Sequence, residues 1–382
     1  MDPSSWLADL RDSAAARESA GLRRRLQVRQ PGSDMIDMAG NDYLGLARHP
    51  AVIGAAVTAL HEYGLGATGS RLVRGTTAAH AELDQALAEW LGAEKALVYS
   101  SGYLANLGAI RALVTPETLV ISDAYNHASI VDGCRATRAP VAITKHLSLV
   151  DIESQLIQAA AQARPAVVLT ESIFSVDGDL APLSDLHRLT RSYGARLLVD
   201  DAHGCGVIGP AGAGGVAAAG IAGEPDVIIT MTLSKSFGAA GGVVAGPAEL
   251  IRHLIETGRT FIYDTGMPPA VAAGARAALD VIAAGDDLRA ELHDRGRRIV
   301  SVLSAAGLDV SEPRGGVLSV LAPSPDAALA WAAACRDRGI AVGCFRPPST
   351  PDGSSRLRLT INVGVARAEF EHALDVIRET AP

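Results

Sequence analysis

The sequence contains the stretch Met231-Thr232-Leu233-Ser234-Lys235-Ser236-Phe237-Gly238. It follows a short β-type run, residues 226–230, and leads into Ala239-Ala240-Gly241-Gly242. A single lysine therefore stands among hydroxyl groups and glycines at the end of a strand that we predict to be buried. Burial disfavours the charged amine and raises its nucleophilicity, which a lysine needs in order to bond covalently to an aldehyde. We therefore predict that Lys235 is a reactive amine.

A second strand-end motif lies upstream, at Arg196-Leu197-Leu198-Val199-Asp200-Asp201-Ala202-His203-Gly204. Pyridoxal phosphate needs a carboxylate beside its pyridinium nitrogen, so that the protonated ring can accept electrons. A lysine and an aspartate at the ends of two strands of one sheet would supply both groups. For a lone lysine, an exposed side chain with no chemical role is the far commoner case. The two motifs together predict a pyridoxal-phosphate site at Lys235.

Length and composition exclude several classes of protein. With 382 residues, 48% of them hydrophobic, the chain is long enough for a major domain with a smaller one attached. Its formal net charge of −8 opposes the binding of nucleic acid. No apolar run is long enough to cross a membrane, and the N-terminus lacks the pattern of a signal peptide. The four cysteines are Cys134, Cys205, Cys335 and Cys344, and they have no paired spacing. Neither a metal site nor a disulfide framework is therefore indicated, and we expect a cytoplasmic protein.

From residue 94 onward, apolar runs of strand length alternate with stretches of helix length, a pattern typical of a parallel sheet with helical crossovers. The connection from Lys235 to Gly242 is too short for a helix, so the last strand is predicted to run antiparallel. The fold class is therefore α/β, with a mostly parallel central sheet flanked by helices and a smaller C-terminal α+β domain. The predicted strands of the central sheet are 96–99, 119–122, 141–144, 166–171, 196–200, 227–231 and 242–245.

The other elements divide the chain into an N-terminal segment (1–50), a large cofactor-binding domain (51–270), and a connector helix with the small domain (271–382). A polar helix predicted from Trp6 to Gln30 contains the basic cluster 22–26, whose ordinary interpretation is a solvated helix face. Further predicted helices are 50–63, 78–91, 268–306 with a break near 285, 326–338 and 366–379. The small domain would add strands at 316–321 and 356–361 and a loop at 344–353.

Polar residues collect where the predicted strands end, which is where open α/β sheets bind their ligands. Three such segments are 100–106, 123–129 and 171–179. The first one opens a helix, whose free backbone N–H groups can bind a phosphate. A glycine-rich loop at 64–77 adds arginine, serine and threonine side chains. Strand ends are polar in every α/β protein, so no single segment is informative about function. The order of the segments along the chain is the informative feature.

Taken together, these motifs resemble the fold type I pyridoxal-phosphate enzymes, and within them the α-oxoamine synthases. The resemblance covers nearly the whole chain in order and spacing. It implies pyridoxal phosphate as the cofactor and a homodimer whose active site is shared between the subunits. The motifs that carry it are 22–25, Gly40-Asn41-Asp42-Tyr43-Leu44-Gly45, Ser101-Gly102-Tyr103, His127-Ala128-Ser129, 171–179, 200–203, 232–238 and Arg356-Leu357-Arg358-Leu359-Thr360.

The resemblance also implies a role for each site residue. Lys235 would bond the cofactor, Asp200 would pair with the pyridine nitrogen and His203 with the phenolic oxygen. His127 would stack on the ring and face the substrate, which makes these four the catalytic residues. The remaining cofactor contacts would be Gly102, Tyr103, Ser175, Thr232 and, from the neighbouring subunit, Thr76. The substrate carboxylate would meet Arg358 and Asn41, and the acyl chain would meet Arg23, Arg346 and Ser349, the last at a position where the family commonly has threonine.

The reaction implied is the condensation of an amino acid with an acyl thioester, with loss of carbon dioxide and the carrier thiol. The basic cluster at Arg23 and the compact length favour the family member of biotin biosynthesis, which joins L-alanine to a pimeloyl group carried by coenzyme A or by acyl carrier protein. Three alternatives stay open. Sister enzymes that join glycine to acetyl-CoA or succinyl-CoA share every cofactor residue. A transaminase needs no thioester, and a non-catalytic binding protein of this fold would not need the lysine, aspartate, histidine and arginine together.

Overall fold

The structure is a computed structural model that describes residues 4–20, 22–24, 26–347, 349–350 and 352–382. Within these residues the strands are β1 Ile36–Met38, β2 Lys95–Tyr99, β3 Leu119–Asp123, β4 Val141–Thr144, β5 Ala166–Glu171, β6 Arg196–Asp200, β7 Val227–Thr232, β8 Gly242–Gly246, β9 Val317–Ala322, β10 Ile340–Phe345 and β11 Ser355–Thr360. They form one large and one small sheet.

The helices of the same residues flank both sheets. They are α1 Ser5–Ser19, α2 Pro50–Tyr63, α3 Ala78–Leu91, α4 Gly102–Leu113, α5 Ala128–Arg135, α6 Leu149–Ala161, α7 Leu183–Ser192, α8 Gly214–Ala218, α9 Ala248–Thr257, α10 Arg259–Ile262, α11 Pro269–Ala284, α12 Asp286–Ala305, α13 Pro325–Asp337 and α14 Arg367–Glu379. Short helical turns lie at Leu46–Arg48, Arg71–Gly75 and Pro210–Gly212. No helix in the described part of the chain combines the length and apolar composition that a membrane crossing requires.

The large sheet has the strand order β2-β8-β7-β6-β5-β3-β4 among the described residues. Strand β8 is antiparallel to both of its neighbours, and every other pair is parallel. Strands β5 and β7 are buried along their whole length, because helices cover both faces, and their sequences are correspondingly apolar. The predicted α/β fold and the antiparallel last strand are both confirmed.

The small sheet has the order β1-β10-β11-β9. Strand β1 comes from the N-terminal segment and pairs in parallel with β10, where Ile36 is opposite Ile340. Strand β10 is absent from the predictions above, and its last two residues, Cys344 and Phe345, lie in a segment predicted as a loop. Only its first residues form an apolar run, and Gly343 interrupts the pattern, so the strand depends on its neighbours. The domain boundaries at residues 50 and 270 stay a prediction.

The N-terminal helix is shorter than predicted. Helix α1 ends at Ser19, and the described residues up to Gln30 are not helical. No residue of α1 is buried, so the helix has no apolar face packed against the sheet that would extend it, and short helices are marginal without such packing. Arg25 of the basic cluster lies outside the described residues.

The sheet topology brings the polar strand ends together. Strands β3, β5, β6 and β7 are parallel neighbours, so their carboxyl ends lie along one edge of the sheet. Helix α4 begins at the same edge, where the Ser101 hydroxyl accepts the Leu104 N–H at 3.2 Å and caps the helix. The fold therefore places one helix N-terminus and several polar strand ends around one point.

Candidate active site

A cavity of about 290 Å³ lies at this edge of the large sheet. Its walls come from the ends of β5, β6 and β7, the start of α4 and the loop before α5. The volume approaches the lower end of the range for small-molecule sites. The residues that line it are Ser101, Gly102, Tyr103, Asn106, His127, Ser129, Glu171, Asp200, Ala202, His203, Met231, Thr232, Ser234 and Lys235.

Lys235 lies in the turn between β7 and β8, as its motif predicts. Gly238 has a left-handed φ of 62°, and a Cβ there would approach the Ala47 backbone nitrogen to 2.2 Å, so this turn requires glycine. Burial lowers the pKa of Lys235 to about 8, although the charges of Asp200 and Glu171 oppose the shift. An amine with that pKa loses its proton far more readily than an ordinary lysine, as a nucleophilic lysine must.

A hydrogen-bonded chain that is partly buried at its ends and fully buried in its middle begins at this amine. Lys235 Nζ lies 2.7 Å from His203 Nε2, and His203 Nδ1 lies 2.6 Å from the Tyr43 hydroxyl. Burial holds the pKa of His203 well below its usual value, and the nearby charge of Lys235 lowers it further. The ring is therefore neutral and carries one N–H. Tyr43 donates in turn to Asn41 Oδ1 at 3.2 Å.

Asp200 lies at the end of β6, buried to 6% exposure. Asn106 Nδ2 donates to Asp200 Oδ2 at 2.7 Å, and the Ala202 N–H donates to Asp200 Oδ1 at 3.0 Å. The same Asn106 amide donates to Ser129 Oγ at 2.8 Å, and its oxygen accepts from Thr230. These donors stabilise a buried carboxylate as an anion, which is the form that can pair with a protonated ring nitrogen.

His127 forms one wall of the cavity and caps α5. Its Nδ1 lies 2.8 Å from Ser129 Oγ, and its backbone N–H donates to Glu171 Oε1 at 2.6 Å. Burial lowers the pKa of His127, so the ring is neutral and suited to stacking on an aromatic ligand. His127 and Asp200 are linked through Asn106 and Ser129.

The start of α4 forms the other end of the cavity. The first N–H groups of a helix have no partner within it, and those of Gly102 and Tyr103 lie at the cavity wall. A Cβ at Gly102 would approach Thr232 Cβ to 3.0 Å, so glycine keeps this corner open. The Thr232 hydroxyl donates to the Gly241 carbonyl at 2.9 Å and lies 2.7 Å from Ser234 Oγ. The lysine, the buried aspartate and this helix terminus fit pyridoxal phosphate.

Arg358 extends the chain of contacts into the small sheet. Its Nη2 donates to Asn41 Oδ1 at 3.1 Å, and its Nε donates to the Ser175 carbonyl at 2.6 Å. Phe345 lies under the guanidinium, with 5.6 Å between the Arg358 Cζ and the ring centroid. Asn41, Tyr43, His203 and Lys235 thus connect the arginine on β11 to the turn after β7.

The other predicted site residues lie outside this cavity. Ser175 and Ser349 line a second cavity of about 450 Å³ that shares His127 with the first. Arg23, Arg346 and Ser349 line a third cavity of about 940 Å³ between α1 and the loop after β10. Thr76 is exposed, and its hydroxyl donates to the Arg71 carbonyl at 2.7 Å. Because its predicted role is toward a neighbouring subunit, that role stays a prediction.

Seven residues of the cavity were given no role from the sequence: Ser101, Asn106, Ser129, Glu171, Ala202, Met231 and Ser234. Tyr43, in contact with His203, was not assigned either. Each belongs to, or lies within a few residues of, a motif quoted above. Their positions next to assigned residues could therefore have indicated that they belong to the site. Their partners are distant in sequence, however, and only the folded chain identifies the contacts.

The sequence of this chain is similar to those of known proteins. The sequence pattern of the family described as "Aminotransferase class I and II" matches residues 33–377. A relative from Mycolicibacterium smegmatis is 47% identical over 379 residues, which cover 99% of this chain and 97% of the relative. A relative from Mycobacterium avium is 48% identical with the same coverage. Both relatives are named 8-amino-7-oxononanoate synthase.

Solved structures with the same fold include several serine palmitoyltransferases. That of Sphingomonas wittichii has a TM-score of 0.92 at 30% identity and covers 100% of this chain and 98% of its own. The enzyme of S. paucimobilis, solved with bound PLP and myriocin, has the same TM-score and coverage at 29% identity. An 8-amino-7-oxononanoate synthase from Francisella tularensis has a TM-score of 0.75 at 26% identity and covers 90% of this chain and 97% of its own.

Proposed function

The chain belongs to the class I and II aminotransferase family of pyridoxal-phosphate enzymes, and we propose that it condenses L-alanine with a pimeloyl thioester to form 8-amino-7-oxononanoate, carbon dioxide and the free carrier. The chain is an acyltransferase of the type that serves biotin biosynthesis, as its curated relatives are named. The observation that carries the proposal is the full-length relationship to those synthases, combined with a cavity that holds Lys235, Asp200 and His203 together.

Bound pyridoxal phosphate would supply an electron sink that stabilises a carbanion at the amino-acid Cα. The chain's own residues would bind and orient it: Asp200 at the ring nitrogen, His203 at the phenolic oxygen and the start of α4 at the phosphate. Asp200 keeps its negative charge through the Asn106 amide and the Ala202 N–H. His127 covers one side of the cavity, which excludes water from that face.

Lys235 would move the Cα proton. With a pKa of about 8, its amine can accept a proton and return it near neutral pH. His203, at 2.7 Å from Nζ, is neutral and restricts the positions that the amine can take. Asn41 joins the Tyr43 end of this chain to Arg358, so Lys235 and Arg358 share one hydrogen-bonded network.

Arg358 would bind the carboxylate of the amino acid. Guanidinium groups bind carboxylates through paired N–H donors, and two contacts, to the Ser175 carbonyl and to Asn41, hold this one in a fixed orientation. The side chain is buried to 6% exposure, which strengthens a charge-assisted hydrogen bond. The guanidinium would thereby orient the amino acid toward Lys235.

The acyl thioester would approach through the second and third cavities. The second cavity shares His127 with the first and Ser349 with the third, so the three cavities are neighbours. Arg23 and Arg346 bring positive charge to the third one, which suits the carboxylate or phosphate groups of an acyl carrier substrate. These contacts support the assignment of both arginines to the acyl side.

We also propose that the working form is a homodimer. Several large apolar side chains are exposed on α2 and the following loop, where a monomer would leave them in water: Ile53 46%, Val57 46%, Leu65 83%, Leu72 50% and Val73 84%. The loop contains Thr76, whose predicted partner is the cofactor of the other subunit. A second copy on this face would bury the apolar residues and bring Thr76 to that cofactor.

The test is to measure thiol release with four pairs of substrates. L-Alanine with pimeloyl-CoA should give the highest kcat/KM, above glycine with acetyl-CoA, glycine with succinyl-CoA and L-serine with palmitoyl-CoA. Mass spectrometry should identify 8-amino-7-oxononanoate as the product. A preference for any of the other pairs would assign that reaction to the protein instead. Transfer of an amino group without thiol release would contradict the condensation altogether.

A further inference from the structure

Glu171 is a buried carboxyl group in the cavity to which the reaction above gives no role. It is the last residue of β5 and pairs in register with Asp200 of β6. Both side chains line the same cavity, with 2% exposure for Glu171 and 6% for Asp200. Two carboxyl groups at paired positions of adjacent buried strands interact strongly, because little water separates them.

The hydrogen bonds indicate which of the two carboxyl groups carries the negative charge. Asp200 accepts from a side-chain amide at 2.7 Å and from a backbone N–H at 3.0 Å. Among the described residues, Glu171 accepts from one backbone N–H, that of His127, at 2.6 Å. Two adjacent buried carboxylates rarely ionise together, and the one with more donors keeps the negative charge.

The surroundings of Glu171 favour its neutral form. Burial and the charge of Asp200 raise the pKa of Glu171 to about 8, against the opposing charge of Lys235 and the His127 N–H. The titratable groups that face it are Asp200 from β6, Lys235 from the turn after β7, Asp123 from β3 and His127 from the loop before α5.

We infer that Glu171 is a positioning residue that works as an uncharged carboxylic acid, holding the His127 backbone in place while leaving Asp200 as the anion of the pair. Its carbonyl oxygen fixes the residue that caps α5, and hence the ring of His127. Ionisation of Glu171 would add a second negative charge beside Asp200. Asn106 would transmit that disturbance, because it binds both Asp200 and the Ser129 hydroxyl that contacts His127.

The protonation state can be measured without substrate or turnover. Infrared titration of the full-length, cofactor-free protein should show a protonated carboxyl band at pH 7 that disappears with a midpoint near pH 8. Glu171→Gln should remove this band, and Glu256→Gln, at an exposed position of α9, should keep it. Absence of the band from the wild type at pH 7 would show an ionised Glu171 and overturn the inference.

A second measurement needs no variant. In protein labelled with carbon-13 at the glutamate carboxyl carbons, one resonance should titrate near pH 8, far above the ordinary range for glutamate, which is about 4.3. If every glutamate carbon titrates in the ordinary range, Glu171 is ionised and the inference fails. Neither titration depends on the substrates proposed above, so this inference and the proposed function can fail separately.

The pH profile of the holoenzyme tests the positioning role. Glutamine mimics the neutral acid and can still accept the His127 N–H, whereas alanine cannot. We expect Glu171→Gln to move the alkaline limb of kcat upward, and Glu171→Ala to lower kcat about tenfold more than Glu171→Gln does at pH 7. Equal losses in the two variants, or an alkaline limb that stays in place in Glu171→Gln, would contradict the role.

Discussion

The Tyr43 hydroxyl should stabilise both the fold and the proton-transfer group, and Tyr43→Phe tests this. At pH 7 most of Lys235 carries a proton, since its pKa is about 8, and it donates to His203 Nε2. The neutral His203 ring must then carry its proton on Nδ1 and donate to Tyr43, which donates to Asn41. Removal of the hydroxyl leaves the Nδ1–H of His203 buried without an acceptor.

The size of the effect follows from the burial of the contact. His203 is 4% exposed and Tyr43 is fully buried, so water cannot replace the lost oxygen. A buried donor left without a partner costs about 1–3 kcal/mol in the free energy of unfolding. If the same free energy is lost in the orientation of Lys235, kcat/KM falls between about 5-fold and 150-fold.

Urea unfolding of the cofactor-free protein measures the first effect, and steady-state kinetics of the holoenzyme measures the second. Tyr193→Phe is the matched control, because its hydroxyl donates to Glu153 at 3.4 Å on the surface, and it should change the free energy of unfolding by less than about 0.5 kcal/mol. If Tyr43→Phe unfolds and reacts like that control, the chain from Lys235 to Asn41 has no energetic role.

Three further substitutions and one titration test the site. The chain has three lysines, so borohydride should trap the cofactor on the Lys235 peptide, Lys235→Ala should abolish trapping, and the exposed Lys145→Ala should not. Asp200→Asn should lower kcat by about 100-fold or more, because a neutral partner leaves the ring a poor electron sink; near-normal turnover would remove Asp200 from its role. Arg358→Lys should raise the KM for the amino acid roughly 10- to 150-fold, since lysine lacks the paired donors; a change confined to kcat would contradict carboxylate binding. The folded state lowers the pKa of Lys235 from 10.5 to about 8, so folding favours the neutral amine. The free energy of unfolding, compared with that of Lys235→Met, should therefore rise as the pH increases from about 8 to 10.5. A fall over that interval would refute the buried position of the amine.

Most strands and helices and the main chemical groups could be predicted from the amino-acid sequence. The strands of the large sheet follow from short apolar runs, and the turn from Lys235 to Gly242 dictates an antiparallel strand because it is too short for a crossover. The motifs at Lys235, Asp200 and His203 likewise predict a cofactor site, since the carboxyl ends of parallel strands lie along one edge of a sheet. Both conclusions rest on residues that are close together in the chain.

Secondary-structure elements that depend on partners far away in the chain could not be predicted from the sequence. Strand β10 has a weak apolar pattern, and it forms because β1, some 300 residues earlier, supplies one neighbour and β11 the other. Helix α1 shows the opposite error, because the prediction made it too long. Its polar sequence continues beyond Ser19, but no packed face supports a longer helix. Tertiary packing decided both cases.

The same limit applies within the site. The sequence supplied Tyr43, Glu171 and Arg358, but the contacts that give them roles join residues far apart: Tyr43 to His203 across 160 positions and Arg358 to Asn41 across 317. The protonation states of Lys235 and Glu171 depend on burial and on neighbouring charge, which exist only in the folded chain. The sequence therefore determined which groups are present, and the tertiary structure decided which of them share a cavity and in what state of charge.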